Sequence, residues 1–441
     1  MNLARITPPD EAPAVIDIEA GFAPPSRAYL WALLGMLASA TIFEGYDITI
    51  LKLCTPYIAK AFSLSDTEVG LMAALVRFGG MLSFFVLMLA DRFGRKTIIS
   101  TTVLFYALFT LMTALSSGLI SFTLFQSLAQ IFLAAEFGIA MVIISEEFPD
   151  KMRGSAISIL QTATLVGVIV AGSLFAVVAE SQFGWRGMYL IGVAPAIIVF
   201  FIRRSMRETV RFKTCREATR AADTVEMKQP LVASLRDRFA PFFGPWRGRL
   251  ILVSTLWNSI GLVGGPTITF FALFAKRDHG FSAGKIASAT ILAYVLGSVG
   301  SLLCGLLMDQ IGRRSTTCLY YLASAVSMFC LFTLSHHLTL SYIATMFAYQ
   351  GARTATSAFS TELFPTEIRA TGYSLTVQVF GQLGWMLSPL AVGIVAGVVH
   401  DLGVAASYFA LGPVIGALLV ILFAPETSGK TLEETTAVRP S

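Results

Sequence analysis

Charge is scarce in this sequence of 441 residues: Asp, Glu, Lys and Arg together make up 13% of it, while 55% is hydrophobic. A soluble domain carries about 25% charged residues, so too little polar surface remains to coat a particle in water. That excludes a soluble enzyme, a nucleic-acid binder and a disordered chain. Cysteine is equally thin, with five residues at 54, 215, 304, 318 and 330, no CxxC pair and no His–Cys cluster. Neither a disulfide framework nor a metal site is expected, and no cofactor. No nucleophile–base set or phosphate-binding loop appears, so an enzyme is not expected. Asparagine occurs twice, at Asn2 and Asn258, and no N-x-Ser/Thr acceptor site exists. The start of the chain lacks the charged-then-apolar pattern of a cleaved signal peptide.

What the sequence has instead is long apolar runs. A membrane-spanning helix needs roughly 20 apolar residues, and twelve such stretches can be read at about 28–52, 66–90, 97–117, 119–145, 154–179, 185–203, 250–275, 282–308, 315–334, 339–361, 370–398 and 403–424. Lipid cannot satisfy open backbone groups, so helices are the expected form. Lys and Arg set the orientation. With the N-terminus inside, the inner segments hold 24 of the 32 basic residues and the outer loops five. Both termini are therefore expected in the cytoplasm of a cell (inner) membrane protein. The expected layout is a tail over 1–27, a six-helix bundle over 28–203, a basic linker over 204–249, a second bundle over 250–424 and a tail over 425–441. The basic run near the linker reads as a topology anchor rather than a binding surface, so no nucleic-acid partner is expected.

An internal repeat defines the architecture. Asp91-Arg92-Phe93-Gly94-Arg95-Lys96 after the second span returns as Asp309-Gln310-Ile311-Gly312-Arg313-Arg314 after the eighth, 218 positions later. Glu146 running to Arg153 returns as Glu362 running to Arg369, offset by 216. Two motifs sharing nearly one offset imply a duplicated six-helix unit.

These loops resemble the hallmark of the major facilitator superfamily. Gly45-Tyr46-Asp47, the two Glu-to-Arg motifs and Pro425-Glu426-Thr427-Ser428-Gly429-Lys430 resemble its sugar-porter branch. Glu44-Gly45-Tyr46-Asp47 equally resembles the D-G-x-D of its aromatic-acid/proton symporters. The resemblance implies an all-α membrane protein of twelve transmembrane helices in two pseudo-symmetric halves, the major facilitator fold, working as a monomer. It also implies a cytoplasmic gate of salt bridges drawn from Asp91, Arg92, Arg95, Glu146, Arg153, Asp309, Arg313, Glu362 and Arg369. Two departures stand out. Leu87 occupies a position where relatives carry Gly, and the fourth span carries Gln130 where both related branches usually place Arg.

Ionisable groups inside spans are functional candidates because each is costly at bilayer depth. Counting depth at about 1.5 Å per residue puts Asp47, Arg77 and Gln130 in one layer. Asp47 is the expected proton-coupling site, with Glu44 on the same helical face and Arg77 replacing the missing cation; a static Asp47–Arg77 or Asp47–Lys52 pair is the plainer alternative. Glu136 and Arg353 occupy nearly equivalent repeat positions. They are expected to pair across the halves, or Arg353 to hold a substrate carboxylate; the plainer alternative is that each is satisfied within its own half. Gln161, Trp257, Asn258, Gln378, Gln382 and Trp385 are candidates for the wall of a substrate cavity, though buried amides often only bridge helices. The expected function is proton-coupled symport of a small organic, most simply aromatic, carboxylate by alternating access. A sugar or polyol transporter, a drug exporter and a non-transporting sensor are the alternatives.

Overall fold

In a computed structural model, residues 26–203, 240, 242–334, 337–365 and 368–427 are described. The expected N-terminal tail, most of the linker and the end of the C-terminal tail lie outside them. The first half consists of α1 (Arg27–Phe62), α2 (Asp66–Phe93), α3 (Arg95–Ala114), α4 (Leu119–Glu147), α5 (Asp150–Val178) and α6 (Gly184–Arg203). The second half follows with α7 (Arg247–Arg277), α8 (Ala283–Ile311), α9 (Arg313–Thr333) and α10 (Leu338–Glu362). Its last two spans are interrupted. One runs through α11 (Arg369–Tyr373), a π-helical stretch (Ser374–Phe380) and α12 (Gln382–Val399); the other through α13 (Leu402–Tyr408) and α14 (Leu411–Phe423). No strand occurs among the described residues.

Local chemistry explains where the helices begin. Ser65 caps α2 in a reciprocal box with Glu68, and Ser282 and Asp401 cap α8 and α13 through Lys285 and Val404. The turns between α2 and α3 and between α8 and α9 each pivot on a glycine with positive φ, 103° at Gly94 and 91° at Gly312. This is why the repeated loop motif carries glycine at that position in both halves: a side chain there would be strained.

The duplication is visible in the packing. α1 on α5 corresponds to α7 on α12, α2 on α4 to α8 on α10, and α3 on α6 to α9 on α14. Apolar side chains such as Ile120, Val177, Leu302 and Val398 stay largely exposed on the outside, as lipid-facing residues must. α7 is the opposite, with 83% of its apolar window buried. Eleven helices of the described part are long and apolar enough to cross a membrane on composition alone. The remaining span, α10, is richer in hydroxyls, and those of Thr345, Thr354, Thr356 and Ser360 donate to carbonyls one turn back, which makes them tolerable in lipid.

The first span is longer than the sequence suggested. The helix passes through Pro56 and ends at Phe62 rather than near residue 52. Lys52 consequently lies ten residues, about 15 Å, inside its end. The halves touch through α2 against α12, α5 against α8 and α1 against α7. Among the described residues, the polar links between them sit at the face remote from the chain ends or at mid-depth. Arg277 pairs with Asp66 at 2.6 Å, Lys276 donates to the Tyr57 hydroxyl at 3.0 Å, Thr67 donates to the Gly393 carbonyl at 2.9 Å, and the Ala283 amide donates to Glu180 at 3.2 Å. Backbones close in at the same face, since a Cβ on Gly393 would strike the chain at Asp66 and Thr67. The remote face is shut.

Candidate functional site

At mid-depth, three cations from three helices face one another. Lys52 on α1 donates to the Tyr294 hydroxyl of α8 at 2.8 Å. Arg77 on α2 lies 4.5 Å from the Trp385 ring of α12, and Arg353 on α10 lies 5.8 Å from the Tyr349 ring while donating to Gln350 at 3.1 Å. Tyr349 and Trp385 are themselves 5.7 Å apart, joining the two arginine platforms into one surface. Arg77 and Arg353 both lie within electrostatic reach of Lys52 and of each other. Among the described residues, none of the three has a carboxylate within 4 Å. Glycine makes the arrangement possible: a Cβ on Gly264 of α7 would collide with both the Trp385 and Tyr349 rings.

Beside this cluster is a pocket between the halves lined by Lys52, Thr55, Met72, Arg77, Gln130 and Thr269, among others, with about 530 Å³ of empty space counting its open mouth. Three unneutralised cations held together repel one another and lack counter-charge. An anion placed among them relieves both costs. Guanidinium groups suit a carboxylate in particular, and the adjoining indole and phenol rings suit a planar apolar body.

The sequence candidates divide sharply. Arg77, Arg353, Gln130 and Trp385 reach this region. Asp47 does not. It is fully buried inside the first half, where Tyr106 donates to one carboxylate oxygen at 3.3 Å and Gln126 to the other at 3.2 Å. Neither the Asp47–Arg77 nor the Asp47–Lys52 pair forms. Five residues at about 100° each turn Lys52 roughly 140° away from Asp47 around α1, so the two point to different sides. The amide of α4 that meets Asp47 is Gln126, one turn before Gln130. Glu136 is likewise drawn inward: it pairs with Arg203 of α6 at 2.8 Å rather than with Arg353. Glu44 sits in the same crevice as Glu136.

Other candidates hold the second half together. Trp257 donates to Ser360 at 2.8 Å. Asn258 donates to the Ser254 and Phe380 carbonyls at 2.9 and 3.1 Å and accepts from the Gly384 amide at 2.5 Å, so it services the break between the π-helical stretch and α12. Gln378 is exposed and lies within that π-helical stretch, separated by the break from the half-exposed Gln382, so the two do not share a regular α-helical face as their spacing suggested. The Gln161 side chain lies outside the described ones.

At the face of the chain ends, Arg313 pairs with Asp309 at 2.9 Å and Glu362 at 3.4 Å. Glu426 accepts from the Arg313 and Arg314 amides at 2.9 and 3.1 Å, and Thr427 donates to Glu362 at 2.5 Å. These described contacts all lie within the second half, tying the tail motif to the start of α9. Arg95 donates to the Ala90 carbonyl at 3.4 Å. The side chains of Asp91, Arg92, Glu146, Arg153 and Arg369 lie outside the described ones.

The groups missed from sequence are Tyr294, Tyr349, Tyr106, Gln126 and Arg203, together with Lys52 as a member of the cation cluster. The tyrosines come from helices whose mutual rotation no spacing reveals. Arg203 looked like the last residue of a span, yet it is fully buried.

The Major Facilitator Superfamily model matches residues 37–389 and 259–439. Three curated relatives match over nearly full length. They are a putative metabolite transport protein of Haemophilus influenzae (26% identical, covering 92% of this chain and 99% of its own), a niacin transporter of Acinetobacter baylyi (25%, 93% and 97%) and a gallate transporter of Pseudomonas putida (26%, 90% and 92%). In structure, the chain is similar to a D-xylose–proton symporter, with a TM-score of 0.74 at 20% identity over 91% of this chain and 100% of that one.

Proposed function

The chain belongs to the major facilitator superfamily and is a multi-pass secondary transporter, not an enzyme; from that premise we propose that it carries a small organic carboxylate, preferably one on an aromatic ring, in symport with a proton. The observation that carries this reading is the mid-depth cluster of Lys52, Arg77 and Arg353, cations without a carboxylate partner among the described residues, set against Tyr294, Tyr349 and Trp385. A neutral sugar would leave those three charges uncompensated, whereas a carboxylate supplies what the cluster lacks. The names of the niacin and gallate relatives agree with such a cargo.

Asp47 is the proposed proton site. Its two described partners, Tyr106 and Gln126, are neutral, and a carboxylate buried without a cation is far more costly than the corresponding acid. The face of the chain ends is proposed to be cytoplasmic, in a cell (inner) membrane, because the basic residues collect there. With the remote face shut, the conformation described is then the one closed to the outside.

Uptake into proteoliposomes tests the assignment. Ring-bearing carboxylates should accumulate under an inward proton gradient, and sugars should not. Arg353→Ala should weaken carboxylate uptake more than that of a neutral analogue. Sugar uptake with no carboxylate uptake would overturn the proposal.

A further inference from the structure

A second group of buried charges lies apart from both the cation cluster and Asp47. Glu136 of α4 is 5% exposed and Arg203 of α6 is fully buried, and their ion pair measures 2.8 Å. Arg203 also donates to the Ile99 carbonyl of α3 at 3.3 Å, yet its Nε and Nη2 atoms are sealed from solvent without a hydrogen-bond partner. Glu44 of α1 reaches into the same place. With Thr41, Leu133, Glu136, Phe137 and Ala140 it lines a crevice too tight to admit a water molecule, and its Oε2 atom is sealed and has no hydrogen-bond partner.

The charge count does not close. Among the described side chains, two carboxyl groups share one guanidinium; Glu136 is buried, and the part-buried Glu44 has one of its two oxygens sealed. Among the described residues, Glu136 is the charged group felt by Glu44, and Arg203 is the one felt by Glu136. Asp47 lies one turn along α1 and is held by Tyr106 of α3 and Gln126 of α4. α5 meets α1 near this level through the Thr164 backbone against Gly45, and no described charge of α5 or α7 is among those felt by Glu44. Two carboxyls confined with one cation are best accommodated when one of them keeps its proton.

We propose that Glu44, Glu136 and Arg203 form a second proton-binding site of the first half, in which Glu44 holds a proton while Glu136 is joined to Arg203. The site differs from the Asp47 site in having its cation inside the bundle. A displacement of α6 relative to α4 that draws Arg203 away from Glu136 changes how many protons the pair holds. The inference concerns the proton arm of the transport reading but does not depend on which solute is carried.

Infrared difference spectroscopy of the full chain in lipid, at neutral pH and without solute, reads it directly through the carbonyl stretch of protonated carboxylic acids. A proton on Asp47 gives a band that disappears in Asp47→Asn; a second band should persist in Asp47→Asn and vanish when Glu44→Gln is added. Glu136→Gln should remove it as well, because the guanidinium then takes the Glu44 carboxylate as its partner. Arg203→Gln should add a band, since both acids are then without a cation. If Glu44→Gln does not fold, Glu136→Gln decides. Read in the Asp47→Asn background, where the Asp47 acid no longer contributes, absence of the band or its survival through both glutamate substitutions overturns the second site. Because no transport is measured, that failure is distinct from a failure of the solute assignment.

Discussion

The two halves, built to one plan, handle charge in opposite ways. The first gathers three carboxyls, the buried Asp47 and Glu136 and the part-buried Glu44, with Arg203 paired to Glu136. The second carries its Asp309 and Glu362 only near the helix ends at the face of the chain ends and turns Arg353, Tyr294, Tyr349 and Trp385 toward the place where Lys52 and Arg77 arrive from the first. A single helix, α1, serves both sides: its acids point into the bundle and its lysine points across to α8. The proposed proton-binding and solute-binding groups are thus kept from neutralising each other by the helix between them.

The sharpest way to break this division is Asp47→Asn. If the acids serve protons and the cations serve solute, gradient-driven accumulation in proteoliposomes should fall to background while solute exchange without a gradient continues. Loss of both together would mean that Asp47 builds the binding pocket. Next in size, Arg77→Ala should weaken carboxylate affinity about tenfold to a hundredfold, since a hydrogen bond to a charged group contributes about 1.5–3 kcal/mol; competition binding measures it, and an unchanged affinity would remove Arg77 from the solute side. The smallest effect belongs to Arg277→Ala. Its pair with Asp66 closes the remote face, but Arg277 is 44% exposed, and exposed pairs contribute at most about 1 kcal/mol. A cysteine placed near Thr67 should become a few-fold more reactive to a membrane-impermeant reagent from that face, with affinity unchanged.

The fold was legible because it rests on signals that survive averaging: long apolar runs, the skew of Lys and Arg, and a motif repeated in both halves. Gly94 and Gly312 illustrate how much a motif can carry, as both take the positive φ that the turn demands. The site was legible only in part. Spacing grouped Arg77 with Gln130, which line one pocket, but could not tell which way Asp47 faced, because rotation about a helix axis is decided by packing. Pro56 suggested an early end to α1, and only its continuation to Phe62 carries Lys52 to the depth of the arginines. Arg353 could be identified as a buried-cation candidate, but its neighbours Tyr349 and Trp385 come together through glycines on a third helix, a relation with no sequence period.

The amide of Asn258 has a mechanical consequence. By bonding the Phe380 carbonyl and the Gly384 amide, it lends backbone partners to the interrupted eleventh span from a neighbour, so that span can flex at its elbow without baring polar groups to lipid. The elbow and α7 are thereby yoked, with Trp385 just beyond the joint, its ring against Arg77.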